Sequence, residues 1–283
     1  MIPAAIFESL GLPVTEYHPV QGGDINQCYC INADGARYFL KMHPHLSSPL
    51  LFEKEIHGLK ELARSGRLKV PGPLKQGITG GSQYLLLEWL DAAPPRQHSW
   101  EQLGKGLAQL HRKTQSGFGF FENNYLGVWP QENTAAGTWP EFYADRRILP
   151  LIRTLFDLGK LTRADLANAE KFCKQLPGLF PGEPPALLHG DLWSGNVLFL
   201  ADGTPAIFDP AVYYGHREMD IGMTLLFGGF DSGFYHAYRQ TYPLQPGWQQ
   251  RVPCTQLYPL LLHARLFGGH YTGNVKRILA SFS

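Results

Sequence analysis

Asp191, Asn196 and Asp209 sit within one stretch, 186–210, of a 283-residue chain, and each borders a short apolar run. Ala186-Leu187-Leu188 leads into His189-Gly190-Asp191; a turn carries Asn196; Val197-Leu198-Phe199-Leu200 follows; Asp202-Gly203 reverses the chain; Ala206-Ile207-Phe208 delivers Asp209. Short apolar runs parted by Asp-Gly read as buried strands of a hairpin, so the three polar groups fall at strand ends, where they can converge. Phosphoryl transfer needs such a set. That reaction asks for a carboxylate holding an attacking hydroxyl in line, and for hard oxygen ligands keeping magnesium on the phosphates. Magnesium takes only one or two protein carboxylates beside the phosphates, so Asn196 and Asp209 suffice, and Asp191 is left for the hydroxyl. Taken singly, each residue is ordinary turn chemistry. Their order and spacing together carry the reading.

Asp191-x-x-x-x-Asn196 followed by Asp209 matches the catalytic-loop and metal-binding spacing of protein kinases. Gly190 replaces their Arg, and Asp209-Pro210 replaces Asp-Phe-Gly, which points away from protein substrates. Such chemistry needs a nucleotide held by elements upstream. Gln27 to Ile31 alternates, Asn32-Ala-Asp-Gly35 turns, and Arg37 to Lys41 returns, which predicts a hairpin ending in Lys41. Residues 49–65 carry apolar positions at 52, 56, 59 and 62, a helical stripe that Gly66 stops. Glu55 lies at its edge, and a strand Lys with a helix Glu is how kinases hold a lysine on the phosphates; Glu53 is the rival partner. Gly22-Gly23, beside Asp24, could bring backbone amides over a phosphate, although a Gly-Gly pair is more commonly a plain turn. The apolar strand 83–91 empties into Ala-Ala-Pro-Pro, a lobe boundary at which Glu88, Trp89 and Leu90 offer backbone groups to an adenine.

Downstream the pattern is helical. Ser99 with Gln102 and Thr138 with Glu141 read as capping boxes, and Thr162 with Asp165 as a third helix start. His111 falls on the apolar side of its helix and reads as a hydrogen-bonded packing residue. Glu218 and Asp220, near another helix start, read as caps, with a basic neighbour as the alternative. The aromatic stretch 118–129 could wall a substrate pocket, and loop packing accounts for it equally well. The formal charge of +1, without a long basic tract, argues against a nucleic-acid partner. No apolar run is long enough for a bilayer and the N-terminus lacks signal-peptide features, so a cytoplasmic protein is expected. Cys28, Cys30, Cys173 and Cys254 form no C-x-x-C pair or zinc pattern. Cys28 and Cys30 share a strand face, where burial is the simplest reading and a redox role the alternative.

With these residues in view, the chain resembles the fructosamine (ketosamine) kinases, within the wider protein-kinase-like group that includes aminoglycoside and choline kinases. The matching pieces are Gly-Gly-Asp-Ile-Asn (22–26), Tyr-Phe-Leu-Lys (38–41), Glu-Ile-His-Gly-Leu (55–59), Leu-Leu-Glu-Trp-Leu (86–90), Leu-Leu-His-Gly-Asp-Leu-Trp-Ser-Gly-Asn (187–196), Phe-Asp-Pro-Ala (208–211), Tyr-Gly-His-Arg-Glu-Met-Asp (214–220) and Leu-Phe-Gly-Gly-Phe (226–230). The resemblance implies an α+β, bilobal protein-kinase-like fold. Its N-terminal lobe, 1–88, would be an antiparallel sheet with one main helix; 89–95 would be the hinge, and 96–283 a mostly helical lobe with a short catalytic hairpin. It implies ATP and Mg2+ as cofactors and phosphorylation of a sugar hydroxyl on glycated amines, or on glycated lysine of proteins, by a monomer away from membranes. By position Asp191 would be the proton acceptor, Asn196 and Asp209 the magnesium ligands, Lys41 and Glu55 the phosphate-lysine pair, Glu88 to Leu90 the adenine hinge, and Gly22 and Gly23 the phosphate loop. Trp193, His216 and Trp129 are candidates for substrate contact. An aminoglycoside or choline-type kinase, or a nucleotide-binding module without turnover, are the rival expectations.

Overall fold

The computed structural model describes residues 2–20, 26–43, 48 and 50–282. The chain opens with α1 (Ala4–Leu10), stopped by Gly11 in the left-handed conformation. Then come β1 (Val14–Pro19), β2 (Gln27–Ala33), β3 (Ala36–His43), α2 (Leu51–Arg64), β4 (Pro73–Thr79) and β5 (Ser82–Glu88). The five strands make one antiparallel sheet in the order β1-β2-β3-β5-β4. β2 and β3 meet through Asp34 and Gly35, both at positive φ (50° and 72°), the two-residue turn that Asp-Gly between alternating runs predicts. Alternation then sorts the two faces. Tyr29, Ile31, Leu40, Met42 and Leu86 pack with Ile6 and Leu10 of α1. Leu85 and Leu87 instead join Phe52, Ile56 and Leu59 of α2, and Phe39 packs with them.

The chain continues through β6 (Ala92–Ala93), α3 (Ser99–Leu110), β7 (Asn124–Leu126), β8 (Trp129–Gln131) and α4 (Trp139–Tyr143). A π-helical turn over Ala144–Ile148 joins α4 to α5 (Leu149–Asp157), and α6 (Arg163–Leu179) follows. Then come β9 (Ala186–Leu188), β10 (Val197–Leu200), β11 (Pro205–Ile207), β12 (Tyr213–Gly215), α7 (Glu218–Leu226), α8 (Ser232–Thr241), α9 (Trp248–Leu266) and α10 (Gly269–Ala280). β10 is the middle strand between β11 and β6, so the connection after β5 pairs with the hairpin of the C-terminal half. β9 pairs with β12, and not within the β10–β11 hairpin.

Thr162 and Asp165 form a full capping box, and Thr138 accepts from the Glu141 amide. Ser99 does not cap. It lies inside α3, where its hydroxyl donates to the Gly203 carbonyl (2.8 Å) and accepts from the Arg96 amide (2.9 Å), tying the connection to the β10–β11 turn. α3 crosses α8 so closely that a Cβ on Gly104 would lie 2.2 Å from the Phe234 carbonyl oxygen. Among the described residues no helix is long and apolar enough to cross a membrane.

Candidate active site

β3 carries Lys41 into the interior and α2 brings Glu55 to it. Lys41 Nζ lies 2.9 and 2.8 Å from the two Glu55 carboxylate oxygens and 2.6 Å from Asp209 Oδ1. Glu55 shares the buried face of α2 with Phe52, Ile56 and Leu59, and this face decides between it and Glu53. Burial alone would lower the Lys41 pKa, but the Asp209 and Glu55 carboxylates outweigh it and hold the ammonium charged. α2 is itself fixed by residues that follow α3 in the chain. Lys54 Nζ and His57 Nδ1 meet Glu122 at 2.5 and 2.6 Å, Glu61 accepts from Lys113 (2.6 Å) and from the Tyr214 hydroxyl (3.1 Å), and Gly58 lets the helix close on Val212.

The turn after β9 is held by Asp220. Asp220 caps nothing; it sits in the first turn of α7, facing the interior. Its carboxylate accepts from the amides of His189 (2.7 Å) and Gly190 (2.9 Å), while His111 Nε2 lies 3.2 Å away. Burial pushes its pKa up, but His111 and the backbone donors bring it below the ordinary range. His111 also meets the Tyr238 hydroxyl at 2.7 Å, the packing role expected of it. Glu218 takes the alternative reading and binds Arg251 at 2.5 and 2.8 Å. Gly190 explains the missing kinase arginine: its φ is +83°, and a Cβ there would stand 2.1 Å from the Ala211 carbonyl oxygen.

Asp191 therefore leaves a rigid turn, and Asn196 follows on a 3-10 turn, Ser194–Asn196. Asn196 Nδ2 donates to the Asp191 carbonyl (2.9 Å) and carboxylate (3.2 Å) and to the Asp209 carbonyl (3.5 Å). With Nδ2 so committed, Oδ1 is the atom by which Asn196 would ligate a cation. Asp209 has φ +56°, a conformation few non-glycine residues adopt and one commonly found at ligand sites. Burial, and then the Asp209 charge, push the Asp191 carboxyl up to about 8. Among the described residues no three His, Cys, Asp or Glu side chains converge to hold a metal unaided. Hard oxygens from one carboxylate and one amide fit magnesium that brings phosphate oxygens as its other ligands.

Two cavities meet here. One, of about 330 Å³, is lined by Cys28, Phe39, Lys41, Leu87 and the Glu88–Leu90 segment. The other, of about 290 Å³, is lined by Asp191, Trp193, residues 124–127, Phe227, His263, Phe267 and Tyr271. Glu55, Asn196 and Asp209 border both. A group held at this border can pass from a ligand in the first cavity to one in the second.

Trp193 thus lies on the second cavity, but His216 and Trp129 line neither. His216 is fully buried between Trp139 and Phe180, ring centroids 6.0 and 5.1 Å away, because its motif packs inward behind β12. Trp129 packs under the Arg265 guanidinium at 4.8 Å, and the β7–β8 turn at Gly127 gives the cavity Tyr125 and Leu126 instead. The Glu88 side chain binds Lys69 Nζ (2.7 and 2.8 Å) and the Gly72 amide (3.0 Å), steadying the end of β5. Gly22 and Gly23 lie outside the described residues. Cys28 and Cys30 are both buried, and burial raises the Cys28 thiol to about 11. Phe227, His263, Phe267 and Tyr271 were not singled out from the sequence, and the sequence marks Asp220 only as a charge near a helix start.

A sequence profile described as fructosamine kinase matches residues 3–282. An Enterococcus faecium protein provisionally named a ketoamine kinase is 41% identical over 269 residues, 93% of this chain and 94% of that protein. A chloroplastic protein-ribulosamine 3-kinase of Oryza sativa subsp. indica is 35% identical over 284 residues, 97% and 81% of the two chains. A crystal structure from Thermobifida fusca, described provisionally as a fructosamine-3-kinase, superposes with TM-score 0.87 at 36% identity, covering 99% and 98% of the two chains. Aminoglycoside phosphotransferase APH(4)-Ia shares the fold, at TM-score 0.66 and 16% identity over 98% and 97%. The kinase-like geometry around Lys41, Asp191, Asn196 and Asp209 and the match along nearly the whole sequence agree: this chain is a kinase of the fructosamine kinase family.

Proposed function

We propose that the chain phosphorylates a sugar hydroxyl of ketosamines, the fructose or ribulose adducts of amines, using ATP and magnesium. The observation that carries this is the shared border: Glu55, Asn196 and Asp209 belong to both cavities, while Asp191 faces only the second. ATP then occupies the cavity of Lys41 and Glu88–Leu90, with Lys41 on its phosphates. Asn196 and Asp209 would hold magnesium, which supplies charge neutralisation to the phosphates when bound. Asp191 holds the acceptor hydroxyl in line and takes its proton. The names of the relatives, ketoamine and ribulosamine kinases, support the ketosamine class as acceptor. We further assign the nucleotide lobe to 1–88, the hinge to 89–95 and the acceptor lobe to 96–283.

The test is ADP release with magnesium and ATP over a panel of fructose and ribulose adducts, an aminoglycoside and choline. Ketosamines are expected to be the preferred acceptors. A clear preference for the aminoglycoside or choline overturns the proposal, and nucleotide binding without ADP release on any acceptor would favour a module without turnover.

A further inference from the structure

Leu-Phe-Gly-Gly occurs twice in the chain, at 226–229 and at 266–269. Each copy ends a helix: Phe227 caps α7 and Phe267 caps α9. The glycines behind them turn with positive φ, 71° and 89° in the first copy and 66° and 56° in the second, which side-chain-bearing residues seldom adopt. Both turns deliver their phenylalanine to the second cavity and against one imidazole, with ring centroids 5.2 Å (Phe227) and 5.7 Å (Phe267) from His263. α10 begins at Gly269 and brings Tyr271 to the same imidazole at 5.0 Å. Trp193 continues the row toward Asp191, 5.9 Å from Phe227. Phe227 and Phe267 are 40% and 55% exposed, and large rings left open on the wall of a cavity are surface that a bound ligand covers.

The charges of this cavity are segregated. Its carboxylates, Glu55, Asp191 and Asp209, all stand at the reaction end. Its lysine, Lys54, is paired with Glu122 at 2.5 Å, and His263 Nδ1 is engaged with the Pro259 carbonyl at 2.8 Å. Among the described residues, therefore, the aromatic end presents no uncommitted lysine or arginine to a carboxylate. Aromatic faces attract a secondary ammonium, whereas a carboxylate there would be desolvated without a partner.

Resting on the ketosamine reading, we propose that Phe227, His263, Phe267 and Tyr271 form the subsite for the amine stem of the acceptor. The subsite takes an uncharged alkyl or aryl stem, such as the methylene chain of a lysine side chain, and excludes a stem with a carboxylate beside the nitrogen. The sugar hydroxyl reaches Asp191 while the stem lies along the rings and leaves any polar end in solvent.

Steady-state kinetics of the full chain with ATP and magnesium, on the fructose and ribulose adducts of n-butylamine and of glycine, test this. The butylamine adducts should exceed the glycine adducts in kcat/KM by about tenfold or more. Phe267→Ala should lower kcat/KM on the butylamine adducts through KM, and by a clearly larger factor than on the glycine adducts. Phe267→Arg should raise kcat/KM on the glycine adducts, a gain that misfolding does not produce. Equal kcat/KM for the two stems, equal losses on both in Phe267→Ala, or no gain in Phe267→Arg overturns the subsite and leaves the ketosamine reading standing. Turnover of neither stem takes down both.

Discussion

Lys41 stands between two carboxylates, and its removal leaves Glu55 and Asp209 facing each other across a partly dry site. Taking one partner from a buried ion cluster costs far more than the cluster contributes net, because the stranded charge loses both water and its counter-ion. Lys41→Met is expected to lower the unfolding free energy by about 3 kcal/mol, read from urea denaturation. Stability equal to the parent would show that the cluster is not coupled. Asp191 behaves differently, since among the described residues it hydrogen-bonds Asn196 and pairs with no cation. Asp191→Asn keeps the shape and would remove the proposed proton acceptor, so kcat should fall by about a hundredfold or more while the Kd for ATP stays within about twofold. Unchanged turnover would remove Asp191 from the mechanism. Spacing made Lys41, Asp191, Asn196 and Asp209 legible, and Glu55 beside its rival Glu53, because phosphoryl transfer asks for such groups in that order. Asp220 was legible only as a charge near a helix start; that it holds the backbone of 189–190 depends on where α7 packs.

At the scale of elements, glycine decides how closely helices approach. α3 and α8 touch at Gly104, where an added Cβ would fall 2.2 Å from the Phe234 carbonyl oxygen, a backbone atom that cannot swing aside. Gly104→Ala should therefore cost about 2–3 kcal/mol by overpacking, despite alanine's better helix propensity, and a denaturant midpoint at or above the parent's would refute the contact. The elements themselves were unevenly legible. The 52, 56, 59, 62 stripe gave α2, and Asp34-Gly35 gave the β2–β3 turn, because both patterns are local. β1 and β4 escaped: they flank the sheet, largely exposed, with no clean alternation, and only pairing with β2 and β5 makes them strands. Ser99 was misjudged as a cap because its hydroxyl bonds Gly203, a partner far away in sequence.

For the whole molecule, the motif 214–220 turns out to be interior architecture. Arg217 binds Glu183 at 2.6 and 2.7 Å and lies over the Tyr242 ring at 3.7 Å, while His216 is sealed among Trp139 and Phe180. Burial pushes the His216 imidazole down to about 4, against the pull of Glu183. The folded state thus holds neutral histidine while the unfolded chain protonates near its ordinary value of about 6.5. Its contribution is complete above that pH and is lost as the pH falls toward about 4, by up to about 3 kcal/mol. Burial lowers His189 as well, which adds in the same direction. Urea midpoints across this window should fall more steeply for the parent than for His216→Gln, and equal slopes would refute the assignment.

By itself the sequence determined the chemistry: which groups are present, in what order, and which short-range patterns make the strands, turns and helices that carry them. Tertiary structure alone decided that Glu55 and not Glu53 faces Lys41, that His216 and Trp129 stay off the cavity beside Asp191, and that two distant Leu-Phe-Gly-Gly turns meet at His263. The physical reason is range. Spacing and turn chemistry act over a few residues, whereas which face is buried, and what lies opposite it, is settled by segments up to 168 positions apart, as in the pairing of Lys41 with Asp209.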